Sequence, residues 1–341
     1  MTARWFAPDH PIRQAAVPLA DQSGWSTQMR HAQPLRLALD AYSVPVRDAS
    51  TASYRQTFTQ HQAYMSQLAF YGDSPASGPM VFGGAKVAVP WRPEWFPPDT
   101  VGNDRIVIVA DPRSGEVWEL WIVDWAWRFL VWHSSAVVAA SIRHYPDGLT
   151  RGYQDGRVVS RGCGLEKLAG VLLVEELEEA VRSGGTVGHA LSITVPNSRI
   201  GNAFWRGTAT RNEISTLELG KLGGVITRVR PDSETMPSGT RWRLNWSESE
   251  IWAHAALFAG GSVGLARTLA AILRTMTVEG VFAGETGGET SIRCHVETDR
   301  HAGNAVRWST LGIGGDDLNS PWQRCLGAIP PEAWQICEPA R

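Results

Sequence analysis

At 341 residues the chain is long enough to bury one large core or two ordinary ones. A formal net charge of −2, with charged residues at only 19%, excludes the basic footprint that nucleic-acid binding requires. No apolar run approaches the roughly 18 residues of a membrane span, and the opening "MTARWFAPDHPIRQ" lacks the basic-then-apolar pattern of a secretory signal.

Residues 1–100 read as a loop-rich, proline-rich wrap that belongs to the same unit as the rest of the chain. Within it "QPLRLALDAY" (33–42) predicts a short helix. The stretch "VPWRPEWFPPDT" (89–100) predicts no regular element, because proline removes donors and restricts the residue before it. Residues 101–341 read as a β-rich core domain. "DRIVIVA" and "EVWELWIV" are β-branched and aromatic, and the turn chemistry of "DPRSG" between them predicts an antiparallel hairpin. If residues 111 and 115 close the turn, Val107 faces Glu119 and Arg105 faces Trp121. Val117, Glu119, Trp121 and Val123 then share one face.

"RFLVWHSSAVVAAS" (128–141) predicts a third strand. A helix follows near 172–183, where Leu173, Leu177, Ala180 and Val181 form a stripe and Gly184 is the stop. "HALSITVP" returns to strand. A second helix near 262–276 carries Leu265, Leu269, Ile272 and Met276, and "VEGVFA" and "SIRCHVE" predict short strands after it. These elements make a β-rich α+β fold: an antiparallel, sandwich-like sheet core, two or three packed helices, and the N-terminal wrap.

Sixteen tryptophans are the one unusual feature of the composition. "GEVWELWIVDWAW" (115–127) holds four of them. Flat indole faces suit the apolar side of a sugar ring, yet large aromatics also fill cores. A strand with tryptophan on both faces cannot aim all of them at one ligand, so Trp118 and Trp121 read as core. Trp125 and Trp127, beyond the apolar centre of the strand, read as the platform. Glu119 lies on a Trp-rich face where desolvation raises a carboxyl pKa, as a general acid requires. Arg105, diagonally across the hairpin, opposes that by pairing.

His189 closes a glycine-rich loop and begins a strand, a place for either a functional side chain or a histidine that fixes the connection by bonding carbonyls. "HVETDRH" sets His295, Glu297, Asp299 and His301 at alternate positions, so that on a strand all four face one side. That pattern suits metal-type ligands, an acid/base cluster or a solvent-facing strand. Neither H-E-x-x-H nor EF-hand spacing appears, and the four cysteines show no C-x-x-C, so no metal is expected. Cys325 and Cys337 are the pair that would close the shortest disulfide loop. With no P-loop, no G-x-S-x-G and no dinucleotide fingerprint in context, no cofactor is expected.

Three blocks, in order, resemble an uncharacterised family of mostly secreted bacterial proteins that often accompany carbohydrate modules. "DRIVIVADPRSGEVWELW" (104–121) is similar to its D-R-x-V-x-V-x-D…E-L block. "GLEKLAGVLLVEELEEAVRSGGTVGHAL" (164–191) is similar to G-L-P-x-L-x-G-L…E-E…H-A-L, and "VEGVFAGETGG" (278–288) to Y-G-M-x-x-A-D-N-G-G. The resemblance implies a common fold and no established reaction. The chain departs from the pattern at Ile106, where members commonly carry histidine, and at Glu285 and Thr286, which stand for the D-N pair.

The function these features imply is recognition of a cell-surface polysaccharide, with hydrolytic or lyase cleavage as its catalytic form. Glu119 or Asp299 would supply acid/base chemistry and His189 would polarise or deprotonate. Arg105, Trp125, Trp127, Glu285 and His301 would hold the substrate, and Arg105 could neutralise a uronate. The partners expected are a glycan and, for a relative of exported proteins with no leader, other virion tail proteins; the expected location is extracellular or virion-associated. The alternative is a non-catalytic structural or adaptor subunit such as a phage minor tail protein. An enzyme should gather His189, Glu119 and another acid into one concave site, whereas a subunit should show an exposed apolar patch.

Overall fold

The computed structural model describes residues 5–20, 34–39, 43–60, 86–95, 105–121, 123–125, 137–139, 141–146, 163–196, 200–204, 236–287, 292–296, 308–314 and 317–338. In chain order the strands begin with β1 (Leu35–Ala38), β2 (Val46–Asp48), β3 (Tyr54–Gln60), β4 (Lys86–Trp91), β5 (Val107–Ala110) and β6 (Val117–Trp121). Next come β7 (Asp124–Trp125), β8 (Val137–Ala139), β9 (Ser141–Tyr145), β10 (Leu191–Pro196) and β11 (Ile200–Phe204). The last are β12 (Met236–Ser238), β13 (Arg241–Leu244), β14 (Val281–Gly287), β15 (Ile292–His295) and β16 (Trp334–Ile336). The helices are α1 (Val174–Ser183), α2 (Glu248–Phe258), α3 (Val263–Val278) and α4 (Pro321–Gly327). The class is α+β.

The largest sheet has the order β1-β15-β10-β14-β13-β16 and is mixed: β1 runs parallel to β15 and β10 to β14, while the remaining neighbours are antiparallel. One face of it is covered by α1, α2 and α3, and their apolar side chains form the principal core with Ile193, Val281 and Trp242. Helix α3 is buried on most of its circumference, so its sequence is apolar nearly all round. Ser262 caps it by accepting from the Leu265 N–H, and Ser247 with Glu250 forms a reciprocal capping box on α2. Helix α1 stops at Gly184, whose φ of +67° is the left-handed cap that glycine adopts without cost.

Two four-stranded sheets, β2-β5-β6-β9 and β4-β3-β8-β7, contribute to a second apolar cluster that includes Phe58, Val89, Trp91, Trp95, Val107, Val109, Trp118, Leu120 and Ile142. Alternation along β5 and β6 sends Ile108, Ala110 and Val117 the other way. They meet the turn-rich segment 163–173, the N-terminal residues Trp5, Phe6 and Ile12, and Phe282 of the large sheet. Segment 163–173 is thus the filling between two sheets. Its closest approach is at Gly170, φ +73°, where a Cβ would stand 2.5 Å from the Ser192 nitrogen and 2.6 Å from the Phe282 ring.

Three local expectations change. "QPLRLALDAY" contributes strand β1, because Leu35–Ala38 lies in register beside β15 and helical periodicity loses to that pairing. "VPWRPEWFPPDT" begins inside β4, with Pro90 opposite Arg55; β4 is an edge strand, where the missing donor costs no ladder bond. The hairpin exists but is shifted by one residue: Ile108 faces Glu119 and Val107 faces Leu120, since the turn closes through the Asp111 N–H donating to the Glu116 carbonyl. Cys325 and Cys337 are buried thiols, not joined to each other, and burial pushes each up to about 12. Among the described residues no helix is long and apolar enough to cross a membrane.

Candidate functional site

Glu119 stands on β6 between Ile108 of β5 and Arg143 of β9, and only 3% of it is exposed. Its Oε1 accepts the Leu168 N–H at 2.9 Å, and the Tyr145 hydroxyl donates toward Oε2 at 3.5 Å. Burial raises the carboxyl above the usual range. The Arg143 charge and the Leu168 and Lys167 N–H groups draw it back, and the neighbouring Glu166 charge adds to the rise. The cation acting on Glu119 is therefore Arg143, its direct cross-strand neighbour, in the role expected of Arg105. Arg105 instead has φ +52°, and its carbonyl accepts the Val123 N–H.

Around Glu119 the three sequence blocks meet. Glu166 accepts from His10 Nε2 at 3.2 Å, and Lys167 Nζ donates to Glu285 at 3.1 Å. The Cys163 N–H donates to the Gly284 carbonyl at 3.0 Å. Glu119 from the first block, Glu166 and Lys167 from the second and Glu285 from the third belong to one polar cluster. Arg143 Nη1 donates to the Tyr145 hydroxyl at 2.8 Å, while its Nε and Nη2 have no partner among the described residues. The inner part of the cluster is buried, with His10 0%, Glu166 2% and Arg143 2% exposed, while the Glu285 side chain at its edge is 21% exposed.

His189 lies nearby but not on Glu119. Its Nε2 is 3.0 Å from Glu176 of α1 and its Nδ1 3.0 Å from the Ala190 carbonyl. Phe6 separates it from His10, with ring centroids at 5.8 Å to His189 and 4.8 Å to His10. Among imidazoles it is His10, not His189, that joins the acids. Nothing local in "APDHPIR" announces this, because the contact to Glu166 spans 156 positions. Trp125 lies on the short strand β7, paired with Val137. Trp127, Asp299 and His301 lie outside the described residues. Among the described residues no group of three or more His, Cys, Asp or Glu is placed to hold a metal.

The opposite face of β6 leads to an open cleft of about 340 Å³ at the hairpin turn, walled by Tyr54, Arg55, Pro90, Asp111, Glu116 and Trp118. Asp111 accepts the Arg113 N–H at 2.9 Å, and this bond, with help from Ser114, holds its carboxyl below the usual range. Glu116 meets His144 Nε2 at 2.5 Å. The His144 ring stacks on Trp118 at 5.0 Å and 4°, and the Arg55 guanidinium lies 5.9 Å from the same indole. Trp118 is 1% exposed, so it is a wall and not a stacking platform. Sequence reading missed this cleft, although "DPRSGE" carried its two acids; Arg55 and Trp118 reach it only through pairing of distant strands. Compared with known proteins, the chain matches no protein-family profile, no curated protein and no solved structure.

Proposed function

We propose that the protein recognises a cell-surface polysaccharide, and that the cleft at the β5–β6 turn is where a short glycan segment binds. The observation that carries this reading is the composition of the cleft walls. Asp111 and Glu116 accept hydrogen bonds from sugar hydroxyls, Arg55 donates to ring or hydroxyl oxygens, and the exposed Tyr54 supplies apolar surface. A volume of about 340 Å³ suits a small ligand that needs a few convergent polar groups. In this reading the two four-stranded sheets are a sandwich-like scaffold, and β2, β3 and β4 of the first hundred residues are strands of it, not a wrap around it. The Glu119 cluster is a staple: its carboxylate holds the 165–170 turn by backbone N–H groups. Cleavage there would require substrate to reach carboxyls that are 3% and 2% exposed.

The test is retention of purified protein on an array of bacterial and plant polysaccharides, with released reducing ends measured in parallel. Retention without release, abolished in Asp111→Ala/Glu116→Ala, is the expected result. Release that disappears in Glu119→Gln would replace binding with catalysis. Absence of both would favour a non-catalytic subunit of a larger assembly. That second reading has its own support in an apolar surface on α2 and the start of α3, where Trp252, Leu257 and Val263 are 38%, 74% and 66% exposed. No Asp, Glu, Lys or Arg occurs from Ile251 to Ala266.

A further inference from the structure

Two buried histidines flank Phe6, and their hydrogen bonds assign them different proton counts. His10 Nδ1 accepts the Ile12 N–H at 3.3 Å, so that nitrogen carries no hydrogen, and Nε2–H donates to Glu166. His189 has an acceptor on each side: a carbonyl, which can only accept, at Nδ1, and the Glu176 carboxylate at Nε2. A ring that bonds to both must donate from both nitrogens. We propose that His189 is held as an imidazolium at neutral pH and acts as a pH-sensitive clamp on the N-terminal segment Trp5–Gln14.

Burial by itself would strip the charge from His189. The Glu176 charge and hydrogen bond, the Ala190 carbonyl and the Glu279 charge outweigh it, and the ring is left more basic than usual. The groups facing it come from every element packed there. Glu176 is on α1, and Glu279 lies at the end of α3, where its carboxylate also accepts the Thr186 hydroxyl at 2.7 Å. His10 lies across Phe6, and Arg241 of β13 donates to the carbonyls of Pro11, Gln14 and Glu279.

The clamp reaches the N-terminal segment by two direct contacts. Phe6 packs on the His189 ring at 66°, and the Ala190 N–H donates to the Ile12 carbonyl at 2.7 Å. When His189 loses its proton, Nδ1–H keeps the Ala190 carbonyl and Nε2 turns a lone pair toward Glu176. The α1–β10 corner then loses one bond and gains a repulsion, and the seat of Phe6 and Ile12 loosens with it.

The experiment is hydrogen–deuterium exchange on the full chain from pH 6 to 10, corrected for intrinsic rates and read on peptides covering Trp5–Gln14. A ring-nitrogen NMR titration of His189 accompanies it. The clamp predicts two ring N–H at pH 7. Protection of the segment should fall by up to about tenfold per pH unit once the ring titrates. His189→Gln should flatten that dependence, and Glu176→Gln should move its onset to lower pH. If His189→Gln fails to fold, the Glu176→Gln onset and the wild-type titration decide. A neutral His189 ring at pH 7, or protection with the same pH profile in wild type and in the variant that folds, would overturn the proposal.

Discussion

Strand β6 separates two regions built from the same few residues. On one side Glu119 is sealed among Arg143, Tyr145 and the 165–170 turn; on the other, one position back, Trp118 walls a cleft open to solvent. The sealed side is rich in groups that look catalytic, namely carboxylates, an imidazole and a phenol, yet Glu119 is bonded to the Leu168 N–H, Glu166 to His10, and the Tyr145 phenol to its sheet neighbours. The open side has fewer such groups and more access. Chemical appearance and accessibility point in opposite directions here, and accessibility decides whether a ligand can bind.

The largest effect should come from breaking the sealed side. Glu119→Ala leaves the Leu168 N–H without its acceptor and the buried Arg143 guanidinium without the neighbouring negative charge, at a cost of about 3–5 kcal/mol in urea unfolding. A loss under about 1 kcal/mol would remove the staple and reopen a catalytic role for Glu119. Next in size is Gly170→Ala, which meets both a left-handed φ and a backbone nitrogen at 2.5 Å. It should cost roughly 2–3 kcal/mol, checked by the same unfolding series.

The pH dependence sharpens the comparison. Glu119 and His189 both have folded pKa values above their unfolded ones, so each stabilises the protein below its unfolded value and loses that contribution as pH rises. The Glu119 contribution should decline upward from about pH 4.3 and that of His189 upward from about pH 6.5, each with a slope of at most about 1.4 kcal/mol per unit. Stability curves for wild type, Glu119→Gln and His189→Gln should separate the two windows. The smallest effect is expected in the cleft. Glu116→Gln should change stability by less than about 0.5 kcal/mol while weakening glycan retention, measured on the same array.

Legibility in the sequence followed the range of the interaction. Helices α1 and α3 are readable from apolar spacing, with Gly184 marking the end of α1, and the β5–β6 hairpin from its composition and turn. The one-residue register error arose because "DPRSG" permits more than one closure, and the Asp111–Glu116 bond selects among them. The stretch "LRLA" fits either a helix or a strand, and only β15 beside it settles which. Helix α2 was missed although its capping box was there to be read: most of its faces are apolar, so no stripe stands out.

For the site, sequence alone established that Glu119 sits on an apolar strand face where burial raises its pKa, and that His189 occupies a helix-to-strand corner. Both follow from alternation and turn chemistry, which act over a few residues. Only the tertiary structure decided their partners. Arg143 replaced Arg105, His10 replaced His189 beside the acids, and Arg55 joined Asp111 and Glu116 in a cleft. Those choices depend on which strands pair across tens to hundreds of positions, and local spacing does not carry that information.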